Sequence, residues 1–152
     1  MRRTLNLQTN KSMKNNLVKS FLVVVFSMSF LSSYGQCEEK IKDFYITYMQ
    51  NSEKNEGANV ELMKKHMSPE LIAKLANYTK QYDADAVIHA QDVSKYGMES
   101  LIVVPSGKDN GYLVKYKWTP ESNYTSIPVR AIITNGKLTF LDISPIDTHT
   151  DR

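Results

Sequence analysis

The sequence predicts an α+β domain in which N-terminal helices pack on an antiparallel four-stranded sheet. Between Glu38 and Tyr78 apolar residues recur with the helical period of 3.6, and after Ser100 they alternate with a period of two. An Asn-Gly pair separates the last two apolar runs, which is a strong hairpin signal. Helices followed by consecutive strands favour a layer of helices on one face of a sheet.

Residues 1–35 are predicted to be a signal peptide. Met13 is the expected functional start, Lys14 and Lys19 give a positive segment, and residues 21–31 (FLVVVFSMSFL) are apolar. A helix that spans a bilayer needs about 20 apolar residues, and this run is much shorter. Its length and flanks are typical of a leader, and an uncleaved membrane anchor is the alternative.

Cleavage is expected before Gln36, because Ser33 and Gly35 fit the small positions that precede a cleavage site. The mature protein would then be periplasmic or secreted, with no membrane span. Cys37 offers a lipoprotein as the alternative, which the neighbouring Tyr34 and Gln36 disfavour. Because the chain has one cysteine, no internal disulfide can form and the core must stabilise the domain.

The charge distribution argues against a nucleic-acid binder. The chain has 19 basic and 16 acidic residues, but residues 1–35 hold five basic residues and no acidic one. Removing these five leaves 14 basic residues against 16 acidic residues, which gives the expected mature chain a net charge near −2. Nucleic-acid binding draws most of its affinity from a basic footprint, which the mature chain lacks.

Three helices are expected before the sheet. From Ile41 to Met49 the apolar positions follow i, i+3, i+4, i+7 and i+8, one face of a helix. Ser68 followed by Pro69 gives an N-cap hydroxyl and a proline in the first turn. The helices are predicted over residues 38–51, 60–66 and from 69 onward, with a polar break at 52–57.

Four strands are expected after Ser100. Residues 101–104 form a short β-branched run, and residues 112–118 alternate apolar and polar side chains. Two further runs, 129–134 and 137–143, flank Asn135-Gly136, and a type I′ turn there requires positive φ at both residues. This turn would pair Ile133 with Leu138 and Ala131 with Phe140. A single domain is therefore predicted over residues 36–145, with a frayed tail at 146–152.

A resemblance supports this fold. The motifs that carry it are Phe44-Tyr45-x-x-Tyr48-Met49, Ser68-Pro69-Glu70-Leu71, Asp83-Ala84-Asp85-Ala86 with Gln91-Asp92, and Asn135-Gly136-Lys137-Leu138. Through these motifs, residues 44–145 resemble a family of small exported bacterial domains of unknown function in the nuclear-transport-factor-like (ketosteroid-isomerase-like, cystatin-like) superfamily. The resemblance implies a curved, cone-like sheet wrapped around the helices. Because that superfamily includes isomerases, ligand carriers, toxin-neutralising proteins and scaffolds, fold alone does not decide function.

The segment from Asp83 to Asp92 concentrates the polar side chains between helices and sheet. Its carboxylates could hold a general base or a metal ion, but the spacing fits neither a calcium loop nor a zinc site, so no metal or cofactor is expected. Asp83 and Asp85 are interpreted mainly as turn residues. His89 is either a structural histidine or a proton shuttle, and no catalytic residue is predicted.

An incompletely filled cone would leave a pocket. The aromatic row Tyr112, Tyr116 and Trp118 is expected on the concave face of the sheet, where it would pack against the first helix or line such a pocket. The same residue types are also favoured at protein interfaces. The pocket candidates are Tyr45, Asp85, His89, Gln91, Asp92, Tyr116 and Trp118.

Export, small size and the lack of a catalytic motif predict a non-enzymatic binding protein. The leading expectation is a protein-binding role of the immunity or inhibitor type, in which a toxin or enzyme in the cell envelope is masked. Lys115, Lys117 and Tyr124 are the candidate contacts to such a partner. The alternatives are a small-ligand-binding or vestigial enzyme domain that uses the cone pocket, and a structural factor of the envelope.

Overall fold

A computed structural model describes residues 35–54, 56–107 and 109–145. The chain divides into two units, Met1–Gly35 and Gln36–Arg152, and the architecture below is that of the second unit. The predicted leader, apart from Gly35, and the predicted tail at 146–152 lie outside the described residues. No helix within these described ranges has both the length and the apolar character that crossing a bilayer requires.

Helices precede strands throughout the described part of the chain, which confirms the α+β class. The helices are α1 (residues 35–54), α2 (Glu56–His66), α3 (Pro69–Tyr82) and α4 (Lys95–Glu99). The strands are β1 (Ile102–Pro105), β2 (Gly111–Lys117), β3 (Tyr124–Thr134) and β4 (Lys137–Ile143). They form one open antiparallel sheet in the order β1-β2-β3-β4.

The β3–β4 hairpin has the predicted register. Ile133 pairs with Leu138 and Ala131 pairs with Phe140. Asn135 and Gly136 have φ values of 51° and 74°, so both turn residues adopt the left-handed conformation that a type I′ turn requires. A bulge lies between Arg130 and Ala131 and shifts the register of the strand pair toward Ile143.

Helix α1 packs its predicted apolar face against the sheet. Ile41, Phe44 and Tyr45 are buried, as are Tyr48 and Met49 one turn later. The rings of Phe44 and Phe140 lie 4.7 Å apart between centroids. The ring of Tyr45 meets Phe140 edge-on at 6.2 Å. The aromatic side chains of α1 therefore fill the space above the β3–β4 hairpin.

The first two helices differ from the predicted boundaries. Helix α1 continues to residue 54 and α2 begins at Glu56, so most of the predicted break at 52–57 is helical. The reason is a tertiary contact: the side-chain amide of Asn59 donates to the Tyr48 carbonyl at 3.0 Å and to Ser52 Oγ at 2.9 Å. These bonds hold the end of α1 against the start of α2.

Helix α3 begins as its sequence predicts. The Ser68 hydroxyl accepts a hydrogen bond from the amide of Leu71 at 3.3 Å, and Pro69 occupies the first turn. The helix ends where Asp83 adopts a left-handed conformation with φ of 50°. Helix α4 was not predicted, because five residues are too few to show a helical period.

The sheet has two different faces. The face toward the helices buries alternate residues of β2 and β3, among them Tyr112, Val114 and Tyr116. The opposite face carries the residues between them, including Lys115 and Lys117, and no element in the described ranges covers it. Strand alternation thus separates a packed face from an open one.

Candidate functional site

Three regions contain most of the predicted site residues: the loop after α3, a groove beside it, and the open face of the sheet. The loop, residues 83–92, is closed by its own backbone. The amide of Asp85 donates to the Ala90 carbonyl at 2.9 Å, and the amide of His89 donates to the Asp85 carbonyl at 2.7 Å. These two bonds fix the backbone that carries Asp85 and His89.

Asp85 stabilises this loop through both carboxylate oxygens. Its Oδ1 accepts hydrogen bonds from the amides of Val87 at 2.7 Å and Ile88 at 3.4 Å. Its Oδ2 accepts a hydrogen bond from the Tyr48 hydroxyl at 2.7 Å. Short aspartate side chains commonly hold turns in this way. The contacts therefore agree with the interpretation of Asp85 as a turn residue.

His89 anchors the loop to the end of the sheet. It has a left-handed backbone with φ of 55°, and its Nε2 lies 2.9 Å from the Ser144 carbonyl. Because a carbonyl can only accept, Nε2 carries the proton in this contact. Burial lowers the pKa of His89, while the Ser144 carbonyl and the nearby Asp85 raise it by smaller amounts. This geometry gives His89 a structural contact with the end of the sheet.

Tyr45 and Tyr116 lie inside the core. The Tyr116 hydroxyl donates a hydrogen bond to the Ile88 carbonyl at 2.7 Å. Burial is the main cause that raises the pKa of Tyr116 to about 12. The Tyr45 side chain is fully buried, and its hydroxyl has no hydrogen-bond partner among the described residues. Burial raises the pKa of Tyr45 far above its usual range. Both tyrosines therefore pack the interior and do not line an open cone pocket.

Beside the loop is a groove of about 380 Å³, which we call the acidic groove. It contains three of the predicted pocket residues: Asp85, Gln91 and Asp92. Among the described residues, two carboxylates face it and no lysine, arginine or histidine does, so it favours hydrogen-bond donors and cations. Its lining consists of Tyr48, Ser52, Asn59, Val60, Met63, Asp85, Ile88, Gln91, Asp92 and Val93.

Asn59 is a residue of this groove that the sequence did not reveal. It is 6% exposed, and its amide nitrogen donates the two bonds that join α1 to α2. Its Oδ1 is buried without a hydrogen-bond partner in the described part of the protein. A buried acceptor without a donor is costly, so it favours a donor from a bound molecule. In the sequence, Asn59 stands in a polar stretch before a short predicted helix, and that pattern does not indicate a buried side chain.

The open sheet face unites the three predicted partner contacts. Lys117 lies directly opposite Tyr124 in the β2–β3 register, and Lys115 is two residues earlier on the same face. The Nζ atoms of Lys115 and Lys117 lie 5.1 and 5.2 Å from the centroid of the Tyr124 ring. Tyr124 itself is 45% exposed. We call these three residues the basic aromatic cluster.

Apolar residues lie next to this cluster. Ile102 pairs with Lys115 and Val104 pairs with Leu113, so they share the open face, and Ile102 and Val104 are both exposed. Arg130 lies further along the same face of β3. The open face of β1, β2 and β3 therefore combines exposed aliphatic groups with three cations.

Trp118 departs from its predicted place in the aromatic row. Strand β2 ends at Lys117, and Trp118 is 41% exposed instead of buried with Tyr112 and Tyr116. Its carbonyl accepts a hydrogen bond from the Ser94 hydroxyl at 2.9 Å, at the start of α4. The chain leaves the sheet at this contact, and Trp118 is not among the residues that line the acidic groove.

Metal-binding geometry is absent from the described residues: no three His, Cys, Asp or Glu side chains there are grouped to hold an ion. Cys37, in the first turn of α1, is buried at 4% exposure. Burial is the main cause that raises the pKa of its thiol. A buried, protonated thiol is a poor nucleophile and a poor metal ligand.

The fold has a known counterpart. A crystal structure of a protein of unknown function from Bacteroides thetaiotaomicron is similar to this chain, with a TM-score of 0.69 and 29% sequence identity. The similarity covers 82% of this chain and 99% of that one. No family model and no curated protein matches the sequence. These comparisons support a fold shared with a bacterial protein of unknown function.

Proposed function

We propose that this chain is an exported, non-enzymatic protein-binding domain that masks an acidic toxin or enzyme in the cell envelope. The observation that carries the proposal is the basic aromatic cluster, in which Lys115 and Lys117 both lie against the exposed ring of Tyr124. The proposed partner is a protein with a negatively charged surface beside an apolar patch.

Preorganisation supports this role for the cluster. An ammonium group over an aromatic face gains about 0.5–1 kcal/mol at an exposed site. Lys115 and Lys117 are half-buried, and each is held near one ring before any partner arrives. Side chains that are already ordered lose less conformational entropy on binding, so more of the contact energy contributes to affinity. Tyrosine is also among the residues enriched at binding hot spots.

Charge favours an acidic partner. The cluster places Lys115 and Lys117 on the open face, and the residues that pair with these two lysines across it are Ile102, Ser126 and Tyr124. None of these neighbours is acidic, so the local potential is positive although the mature chain is close to neutral. A complementary negative surface would steer association and fix its register.

Export without a lipid is part of the proposal. The proposed processing removes residues 1–35 and leaves Gln36 at the N-terminus. The buried side chain of Cys37 supports the unlipidated form, because an acylated sulfur would have to leave the core. Mass spectrometry of protein recovered from the envelope should give an N-terminus at Gln36. A diacylglyceryl group on Cys37 would contradict this.

We also propose that the sheet belongs to the cone type of the nuclear-transport-factor-like superfamily. The order of helices before four antiparallel strands supports this, and so does the bulge between Arg130 and Ala131, because bulges bend a strand and increase its twist. A crystal structure of this protein with a flat sheet would contradict the proposal.

The experiment that tests the masking role is affinity capture with matched variants. The purified protein is used as bait on envelope extracts of the producing cells, next to K115E/K117E and the control K54E/K80E. The control makes the same double charge reversal on exposed helix lysines away from the sheet. We expect one acidic protein to be retained stoichiometrically by the wild type and the control and lost by K115E/K117E. Equal retention by all three baits would contradict the proposal.

A second candidate function is small-ligand binding in the acidic groove. The Oδ1 of Asn59, which has no hydrogen-bond partner among the described residues, favours it, together with the carboxylates of Asp85 and Asp92 on the same lining. A primary amine would supply both the positive charge and the donor. Titration with butylamine should shift the NMR signals of Asn59 in the wild type and much less in Asp92→Asn. The control Asp109→Asn, on the turn before β2, should behave as the wild type does.

A further inference from the structure

A second groove lies where α1 and α2 meet the β3–β4 hairpin. It encloses about 480 Å³, a volume suited to a small molecule. We call it the cationic groove, and it shares no residue with the acidic groove or the basic aromatic cluster. Its lining consists of Lys40, Asp43, Phe44, Thr47, Leu62, Lys65, His66, Asn135, Gly136, Lys137 and Leu138.

Three elements each supply one lysine to this groove. Lys40 comes from α1, Lys65 from the last turn of α2, and Lys137 from the first position of β4. None of the three forms an ion pair with a residue of the described chain; the ion pairs there use Lys64, Lys74 and Lys95. Within the described ranges, Asp43 is the sole carboxylate on the lining. The groove therefore has an excess of uncompensated positive charge.

His66 lies at the centre of this charge. Its Nδ1 is 2.9 Å from the Leu138 carbonyl, and since the carbonyl can only accept, Nδ1 carries the proton. The other nitrogen, Nε2, is then free to accept when the ring is neutral and to donate when it is charged. Burial is the main cause that lowers the pKa of His66; the Leu138 carbonyl raises it by less, and Lys65, Lys137 and Lys40 add smaller decreases.

An apolar floor lies beneath the charges. Phe44 and Leu138 are buried and Leu62 is partly buried, and the Phe44 ring meets the His66 ring edge-on at 5.6 Å between centroids. A ligand that matches these surfaces has negative groups at one end and a short hydrocarbon or aromatic body. Free inorganic anions would match the lysines and leave the floor unused.

We propose that the cationic groove binds a small organic anion with at least two negative charges and an apolar body. Lys40, Lys65 and Lys137 contact the charged groups, His66 donates through Nε2, and Phe44, Leu62 and Leu138 contact the body. The negative ligand offsets the mutual repulsion of the three lysines that line the groove. Its attraction to the three lysines together is stronger than the attraction within a single exposed ion pair.

Binding and protonation of His66 are then linked. The ionisable groups that face His66 are Lys40 and Asp43 from α1, Lys65 from α2 and Lys137 from the hairpin. A bound anion offsets the three lysines and accepts from Nε2, so it raises the pKa of His66. By linkage, affinity rises as pH falls through that pKa and weakens as pH rises above it.

The test uses benzene-1,3-disulfonate, whose charge does not change while histidine titrates. NMR spectra of the purified protein would follow the ring signals of His66 during titration with the disulfonate, with its neutral disulfonamide and with inorganic sulfate. We expect saturable shifts of His66 with the disulfonate, a raised pKa of His66 in the complex, and binding weaker by at least about tenfold for the other two compounds.

Matched variants separate the groove from net charge. K65E/K137E should weaken disulfonate binding by about tenfold or more, whereas the control K54E/K80E makes the same change in net charge and should leave it within about twofold. Equal weakening by both pairs would overturn the site, as would an unchanged pKa of His66 in the saturated complex. Equal affinity for sulfate and disulfonate would overturn the role of the apolar floor.

Discussion

The hydroxyl of Tyr48 donates a 2.7 Å hydrogen bond to Oδ2 of Asp85, which joins α1 to a loop 37 residues later in the chain. The other oxygen of the same carboxylate accepts the amide of Val87 inside the loop. One aspartate therefore fixes the loop internally and ties it to the helical layer. The edge of the acidic groove depends on that arrangement, because both residues line it.

Removal of the Tyr48 hydroxyl should destabilise the domain. A hydrogen bond to a charged group is worth about 1.5–3 kcal/mol, and Tyr48→Phe leaves Oδ2 of Asp85 without this donor. Urea unfolding would measure the loss. Tyr82→Phe is the control, since the Tyr82 hydroxyl has no hydrogen bond within the described ranges. Equal stability of the two variants would show that the Tyr48–Asp85 bond contributes little.

Alkaline pH should weaken the fold through Tyr116. Its folded-state pKa of about 12 is higher than the ordinary 10, so the native state holds this proton more tightly than the unfolded state. The contribution of this difference to the free energy of unfolding is fully present below pH 10 and is lost as pH rises from 10 to about 12. The loss amounts to at most about 2–3 kcal/mol. The free energy of unfolding against pH would show this loss in the wild type. Tyr116→Phe should lose less stability than the wild type over this pH range, by the amount that Tyr116 contributes. A pH profile identical to that of the wild type would contradict the assignment to Tyr116.

Patterns set by near neighbours were predictable from the sequence. The buried face of α1 follows from apolar spacing, and the start of α3 follows from Ser68-Pro69. The hairpin register follows from Asn135-Gly136, because a two-residue turn leaves one pairing that keeps Leu138 and Phe140 on the core face. In each case the physical cause lies within a few residues of the structure it determines.

Features made by distant residues were not predictable. The extent of α1 and α2 depends on bonds from Asn59 to Tyr48 and Ser52, which no local period encodes. Trp118 leaves the sheet because Ser94, in a different segment, binds its carbonyl. The two grooves likewise assemble side chains from separate elements, and the sequence carries no signal that brings these elements together.

The hairpin turn should be sensitive to backbone conformation alone. Gly136 has φ of 74°, and a Cβ built there meets nothing within 4 Å, so steric crowding is not a factor. Gly136→Val should cost about 1–2 kcal/mol, because a β-branched residue resists positive φ. Gly136→Asn should cost less, since asparagine tolerates this region. Chemical denaturation would rank them, and an equal cost for both would contradict the conformational explanation.

Phe140 should be one of the most costly core residues to truncate. It is 2% exposed and its ring contacts those of Phe44 and Tyr45 from α1. Phe140→Ala should cost about 3–5 kcal/mol through lost burial and the cavity left behind. The exposed Leu141 next to it is the matched control, and Leu141→Ala should change the free energy of unfolding by less than about 1 kcal/mol. Similar losses at both positions would mean that α1 does not pack on β4 as described.

The most direct measurement of the proposed masking role is the dissociation constant of the protein partner retained by affinity capture. Calorimetry at two salt concentrations would compare the wild type, K115E/K117E, Tyr124→Ala and the control K54E/K80E. We predict that affinity falls by about a hundredfold for K115E/K117E and about tenfold for Tyr124→Ala, and that it weakens with added salt. The control should stay within about threefold of the wild type. Affinities that do not differ between K115E/K117E and K54E/K80E would contradict a partner bound on the open face of the sheet.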